Sequence, residues 1–289
     1  MKEGEYVVNI NANSNVINKV FSQDMLNELM NTGFSKILNY AYSTLTTNPD
    51  EALSNYDKIK SLYDLLNKNY RNEYFYKNTM INKILVGIHS VNTTTALSEL
   101  PINNSIADLI MINGNAIVYE IKTELDSLRR IETQINDYYK AFAHVSIVAD
   151  KKHKEKILRK YRHSPVGIYT ITNRNTISTI KKPAFYSEML DPLVMFRILR
   201  KPERYRIVRS FYGEIPQFNQ FEEFEELYKL FNVICIKDLY KAFIIALKER
   251  SNVKKHKEQF DTIPREIKSL VYFKDPLPLQ YEKLDYSLK

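Results

Sequence analysis

The sequence predicts an α/β domain built on a mixed sheet covered on both faces, with helical additions before and after it. Three observations carry that expectation. Apolar residues recur at helical spacing through the first 90 residues, the pattern turns extended between 105 and 123, and helical and extended stretches alternate from there to 171. With 289 residues, 44% hydrophobic and 26% charged, the chain can bury a real core, which excludes wholesale disorder. The single cysteine, Cys235, excludes an internal disulfide and a Cys-rich zinc cluster; within Val233-Ile-Cys-Ile236 it reads as a small buried hydrophobe. No apolar run approaches the roughly 18 residues that span a bilayer. Residues 1–16 are acidic and Asn-rich without an apolar h-region, so a cytoplasmic protein with no signal peptide and no membrane partner is expected.

Residues 1–69 read as a helical segment. Ser22 caps a short amphipathic helix ending at Asn31-Thr32-Gly33. Asn48-Pro49-Asp50-Glu51 offers a cap, a first-turn proline and first-turn acids, and Ile59, Leu62 and Leu66 continue a helical stripe. A further helix is expected over 72–87, with Glu73 near its apolar face. The runs 105–112 and 116–123 are β-rich and flank Asn113-Gly114-Asn115, a strong hairpin signal. Both faces of each run are mostly apolar, as in strands covered on both sides. Asp126 is a plausible cap for an amphipathic helix carrying Leu128, Ile131, Ile135, Tyr138 and Phe142. Residues 145–149 give a short strand, a basic helix runs over 151–162, and 166–171 give a last strand. Lys181-Lys182-Pro183 marks a boundary, so 70–180 is the core and 181–289 a mainly helical region introduced by Asp191-Pro192 and Lys201-Pro202-Glu203.

The polar exceptions inside the extended runs carry the chemistry. With a three-residue loop at 113–115, Ile112 faces Ala116 and Asp108 comes opposite Glu120, while Lys122 projects from the same face as Glu120. Facing side chains lie about 5 Å apart, and two carboxylates that close need a cation or a proton between them. Asp, Glu and Lys on an apolar strand surface suit metal-assisted phosphodiester hydrolysis, in which hard oxygen ligands hold Mg²⁺ and an ammonium steadies the developing charge. The five histidines show no HxH or HExxH spacing, and the six glycines form no Walker loop or GxGxxG.

Glu73, Asp108, Glu120-Ile121-Lys122, Gln134 and Tyr138 together resemble the PD-(D/E)xK nuclease superfamily, and the Gln-xxx-Tyr pair resembles its RecB-like branch. The stretch Glu120-Ile-Lys-Thr-Glu-Leu-Asp126 with Arg130-Ile131, Lys152-His153 and Pro165-Val-Gly-Ile168 is similar to a set of bacterial proteins within it. The resemblance covers roughly residues 70–172, and more loosely 199–203. Ala107 stands where the motif's name has proline, a change that removes no ligand. The resemblance implies a restriction-endonuclease-like core with Asp108, Glu120 and the Ile121 carbonyl as Mg²⁺ ligands, Mn²⁺ substituting. It implies Lys122 at the attacking water, and Glu73 as a further acid bound directly or through water. Gln134 and Tyr138, one helical turn apart, would lie beside the site, with Arg130 on a phosphate or a carboxylate. Glu99 competes with Glu73 for the extra acidic role.

The resemblance also implies the activity, that of a metal-dependent nuclease leaving a 5′-phosphate. DNA is the first choice of substrate and RNA the second, in defence against foreign DNA, phage DNA included, or in repair. The alternative is a nucleic-acid-binding protein on the same scaffold that does not cut. The net charge of +8, from 42 Lys and Arg against 34 Asp and Glu, fits a polyanionic partner. Lys151, Lys152, Lys154, Arg159 and Arg162 would track phosphates, unless they are only a solvated helix face. A second basic stretch spans 197–209. The C-terminal helices would select substrate or form a homodimer.

Overall fold

A computed structural model describes residues 10–289, so the expectation of an N-terminus without a leader falls partly outside the described residues. Contacts divide the chain into two units, one formed by residues up to Asn82 together with Val253–Lys289, the other by Lys83–Asn252.

The first unit opens with α1 (Ile10–Val20), α2 (Gln23–Thr32), α3 (Lys36–Leu45), α4 (Asn55–Asn69) and α5 (Glu73–Met80). Ser22 accepts from the Met25 amide at the start of α2, and Gly33, at φ +73°, ends it in the left-handed conformation that glycine adopts without strain. The stripe Ile59, Leu62 and Leu66 is buried on α4. That helix begins later than the Asn48-Pro49 signal suggested, because Ser54 takes the cap and Asn48 turns left-handed. The expected helix over 72–87 keeps its α geometry only to Met80, and Ile81–Val86 continues as a π-helix.

The second unit holds β1 (Thr95–Ile102), β2 (Ser105–Asn113), β3 (Asn115–Lys122), α6 (Ile131–Tyr139), β4 (Val145–Ala149), α7 (Lys151–Tyr161), β5 (Gly167–Ile171) and β6 (Ile177–Lys181). Next along the chain come α8 (Pro192–Ile198), α9 (Lys201–Tyr212), α10 (Glu223–Asn232) and α11 (Ile236–Lys248). The six strands form one mixed sheet in chain order, parallel at β3–β4 and β4–β5 and antiparallel elsewhere. The protein is therefore α/β, a six-stranded mixed sheet flanked by helices. β1 and β6 lie beyond the strands read from sequence, and their burial explains why: both carry partly exposed positions where the central strands are apolar on both faces.

Two expectations are corrected. Asp126 does not cap a helix; its Oδ2 accepts from the Thr123 amide and hydroxyl, closing a turn at the end of β3, and α6 starts at Ile131. Cys235 is exposed at the N-cap position of α11, because the helix begins immediately after it and directs Leu239, Phe243 and Leu247 inward instead. The chain then returns to the first unit through a 3₁₀ turn (Val253–His256), α12 (Lys257–Thr262), α13 (Lys268–Lys274) and α14 (Pro278–Leu288). α13 and α14 pack on α2. Asn78, fully buried, donates to the Arg265 carbonyl at 2.8 Å and accepts from the Ser269 amide at 3.0 Å. No helix among the described residues is long and apolar enough to cross a membrane.

Candidate functional site

The β2–β3 register is the one the loop length dictates: Asn113 pairs with Asn115 and Ile112 with Ala116, around Gly114 at φ +72°. The ladder runs to Leu109 and Tyr119. Beyond that pair a side chain replaces the backbone, and Asp108 Oδ2 accepts from the Ile121 amide at 2.6 Å. Glu120 and Lys122, next along the same face, are only 1% and 8% exposed. Charge at that depth is costly unless partnered.

Each charge has its partners. Lys122 Nζ lies 2.6 Å from Glu120 Oε1 and donates to Gln134 Oε1 at 3.1 Å. The Tyr138 hydroxyl is 2.5 Å from Glu120 Oε2 and 2.7 Å from the Ile106 carbonyl. Burial, the Glu120 charge and the Asp108 charge all push the Tyr138 hydroxyl well above the ordinary phenol range, so it stays protonated and donates. The second unit thus brings together Asp108, Glu120, Lys122, Gln134 and Tyr138. Glu73 belongs to the first unit, in the first turn of α5, where it pairs with Lys77 at 2.6 Å.

Glu99, the competing acid, occupies the place in β1 between the pairs Ser98–Leu109 and Leu100–Ala107, level with Asp108. Its φ of +52° is a conformation that L-residues adopt at a cost of about 1–3 kcal/mol. Arg130 is exposed and stands at the N-cap position of α6 without a capping bond. Lys151, Lys152, Arg159 and Arg162 are exposed on and just after α7, and Lys154 lies 3.9 Å from Glu155. The basic stretch over 197–209 is largely engaged within the unit: Arg204 stacks on Phe196 and Phe224, and Arg206 pairs with Glu249 at 2.7 Å.

One residue that positions the site went unread in the sequence. Asp137, 4% exposed, accepts from Asn103 Nδ2 at 2.5 Å, Ser105 Oγ at 2.8 Å and Lys140 Nζ at 3.1 Å. Burial pushes its carboxyl up, but these three donors outweigh it and hold the group below its ordinary value. The bonds fix α6 against the β1–β2 turn, and so set where Gln134 and Tyr138 project. An aspartate inside the stripe Ile131, Ile135, Tyr138 and Tyr139 was the available signal.

Asp108, Glu120 and the Ile121 carbonyl are hard oxygen donors, the kind Mg²⁺ takes, and that ion commonly uses one or two carboxylates and completes its shell with water. Among the described residues no group of three or more His, Cys, Asp or Glu could hold a metal. The donor chemistry fits; the protein's side-chain share is two carboxylates, both already hydrogen-bonded.

The sequence model of the family described as Bacteriophage P4 protein cII matches residues 66–270. The chain belongs to this family. The match takes in Glu73 and every residue of the Asp108–Tyr138 cluster as well as α7. Protein cII of Enterobacteria phage P4 is 28% identical over 88 residues, which is 30% of this chain and 33% of that protein. The chain thus spans about a third of the length of this curated relative. A solved structure, a protein of unknown function from Silicibacter pomeroyi, is similar over 44% of this chain and 87% of its own, with 9% identity and a TM-score of 0.28.

Proposed function

We propose that this cII-family protein is a metal-dependent nuclease with a restriction-endonuclease-like core, cutting DNA in preference to RNA. The observation that carries the reading is the set Asp108, Glu120, Lys122, Gln134 and Tyr138, gathered where the β2–β3 ladder gives way to a side-chain bond.

Asp108 and Glu120, with the Ile121 carbonyl, would hold magnesium, or manganese in its place. When bound, the ion polarises a phosphate oxygen and makes water a better nucleophile at neutral pH. Lys122 presents a positive charge fixed between Glu120 and Gln134, in position to orient the attacking water and stabilise negative charge growing on the phosphate. Gln134 holds Lys122, and Tyr138 holds the outer oxygen of Glu120. Arg130 and the exposed cations of α7 would receive the polyanionic backbone. Glu73, in the first unit, would supply a further acid to the metal directly or through water, and Glu99, level with Asp108 in the second unit, is the competing candidate for that role. By analogy with the superfamily alone, the cellular role would be defence or repair, in the cytoplasm, with the C-terminal helices selecting substrate or pairing two copies.

A second reading, nucleic-acid binding without cleavage, is favoured by one observation: Lys122 and Tyr138 already occupy both Glu120 oxygens. The two separate cleanly when wild type, Asp108→Ala and Lys122→Ala are incubated with linear, circular and single-stranded DNA and with RNA, in Mg²⁺, Mn²⁺ or EDTA. Cleavage by wild type with either metal, absent in EDTA and lowered at least about 10²-fold in both variants, is expected. Wild type that binds but never cuts, or Asp108→Ala that cuts equally well, overturns the nuclease reading.

A further inference from the structure

The strongest unassigned feature of the second unit is a cavity of about 270 Å³ between the start of α6 and the outer part of α7. Its lining divides by chemistry. Leu128, Ile131, Ile157 and the ring of Tyr161 are apolar, and Ile131, Ile157 and Tyr161 are buried. Arg129, Lys156 and Lys160 are the cations of the lining, and all three are exposed.

The cations are not equally free. Lys160 is bound to Glu132 at 2.6 Å and lies 5.6 Å from the Tyr161 ring centroid. Arg129 and Lys156 have no ion-pair partner among the described residues, so the lining carries net positive charge. The Tyr161 hydroxyl is buried without a hydrogen-bond partner in a side chain 7% exposed, a group that ordinarily would be satisfied. Positive charge beside an apolar floor suits a ligand that is flat and apolar at one end and anionic at the other. Isolated phosphate has no use for the apolar part, and a simple hydrocarbon has none for the cations.

From this we infer that the cavity binds one nucleoside monophosphate unit, its base against the apolar side of the lining at Leu128 and its phosphate at Arg129 and Lys156. The volume is of the order of one such unit, at the small end of ordinary ligand sites. Removing the apolar surface of the base and of Leu128 from water favours binding, and the cations add a salt-dependent part. The unit could arrive free or as an unpaired nucleotide of a strand. The second source rests on the nucleic-acid reading above, and it has a structural basis: Ile131 in the cavity and Gln134 in the site are three residues apart on α6, about 4.5 Å along the helix.

The test keeps cleavage out by working in EDTA. Binding of dAMP, adenosine and inorganic phosphate is measured by calorimetry, and binding of a labelled single strand and a blunt duplex by fluorescence anisotropy. The proteins are wild type, the double variant Arg129→Glu/Lys156→Glu, and Leu128→Trp, which fills the cavity while adding no charge. Wild type is expected to bind dAMP at least about tenfold more tightly than phosphate or adenosine, and each variant to weaken dAMP about tenfold or more. If single-strand affinity falls with it and duplex affinity holds, the unit comes from a strand; if only dAMP is affected, it comes free. Equal binding of dAMP and phosphate, or dAMP binding indifferent to Leu128→Trp, overturns the inference. Loss of cleavage in the metal assay with dAMP binding intact would remove the nuclease reading and leave this one standing.

Discussion

Replacing Lys122 by methionine removes an ammonium and keeps most of the volume. Glu120, 1% exposed, then retains a buried carboxylate with the Tyr138 hydroxyl as its remaining side-chain donor, and Gln134 Oε1 loses its partner at 3.1 Å. Breaking a buried pair from one side costs about 3–5 kcal/mol, mostly from the uncompensated charge left behind. Glu120→Gln/Lys122→Met removes both charges, so the double variant is expected to be more stable than the sum of the singles by about 2 kcal/mol. Urea unfolding followed by far-UV circular dichroism measures this, with tyrosine emission as a second probe, since the chain has 21 tyrosines and no tryptophan. A Lys122→Met cost below about 1 kcal/mol, or strictly additive singles, would show that the carboxylate is not buried against Lys122 as described. Magnesium adds a second arm. If Asp108 and Glu120 hold the ion, saturating Mg²⁺ at about 100 times its Kd restores some 2.7 kcal/mol to Lys122→Met, and Asp108→Ala abolishes the rescue.

Asp137→Ala leaves Asn103, Ser105 and Lys140 without their common acceptor and is expected to cost about 2–3 kcal/mol. Because its carboxyl is held below the ordinary value, its stabilisation is complete above about pH 4, the unfolded carboxylate value, and fades as pH falls through the depressed one. Asp137→Asn should flatten that part of an acid titration followed by circular dichroism, and an unchanged acid limb would refute the assignment. Glu203 meets Arg250 through two bonds, at 2.8 and 2.6 Å, and its buried carboxyl is likewise held down, the Arg250 bonds outweighing burial. Glu203→Gln is expected to cost about 3 kcal/mol with the same sign of pH dependence, seen as a lowered urea midpoint at pH 7 that converges on wild type in acid.

The hairpin and its register were legible because they rest on counting. A side-chain period of two and a three-residue loop leave one register, which holds from Asn113–Asn115 to Leu109–Tyr119 and gives way before Asp108 would come opposite Glu120, where Asp108 takes the Ile121 amide instead. Legibility fell where tertiary contacts choose among equivalent local signals. Asn48-Pro49 and Ser54 both offer a helix start, and only the packing of Ile59, Leu62 and Leu66 selects Ser54. Cys235 lies in an apolar run, yet the phase of α11 turns it outward. The return of α13 and α14 to α2 has no local signature at all, since Asn78 meets Arg265 and Ser269 across nearly 190 residues. Asp137 was hidden for the opposite reason: an acid in a helical stripe reads as a stray surface charge until the β1–β2 turn supplies its donors.

The buried polar set is hard to account for as scaffolding. Alongside Glu120 and Lys122, as their partners on the neighbouring strand β4, stand Ile147 and Ala149, both fully buried, and Val118 and Ala116 precede them on β3. Apolar residues of matching volume at 120, 122 and 138 would spare the desolvation of two charges, and such exchanges are often neutral or stabilising by about 1–4 kcal/mol. Asp108 adds to the cost by committing a side-chain bond where a β-ladder would use a backbone one. A fold that needed only to cohere would lose little, and often gain, with apolar residues at the charged positions. The proposed phosphodiester chemistry at the fork between β2 and β3 would give the same residues a use, because a fixed ammonium beside two carboxylates could stabilise a phosphate's developing charge without reorganising during the reaction. The Glu120→Gln/Lys122→Met protein separates the two accounts: near-native stability with no cleavage marks a functional site, whereas a further loss of stability beyond Lys122→Met alone marks a structural pair.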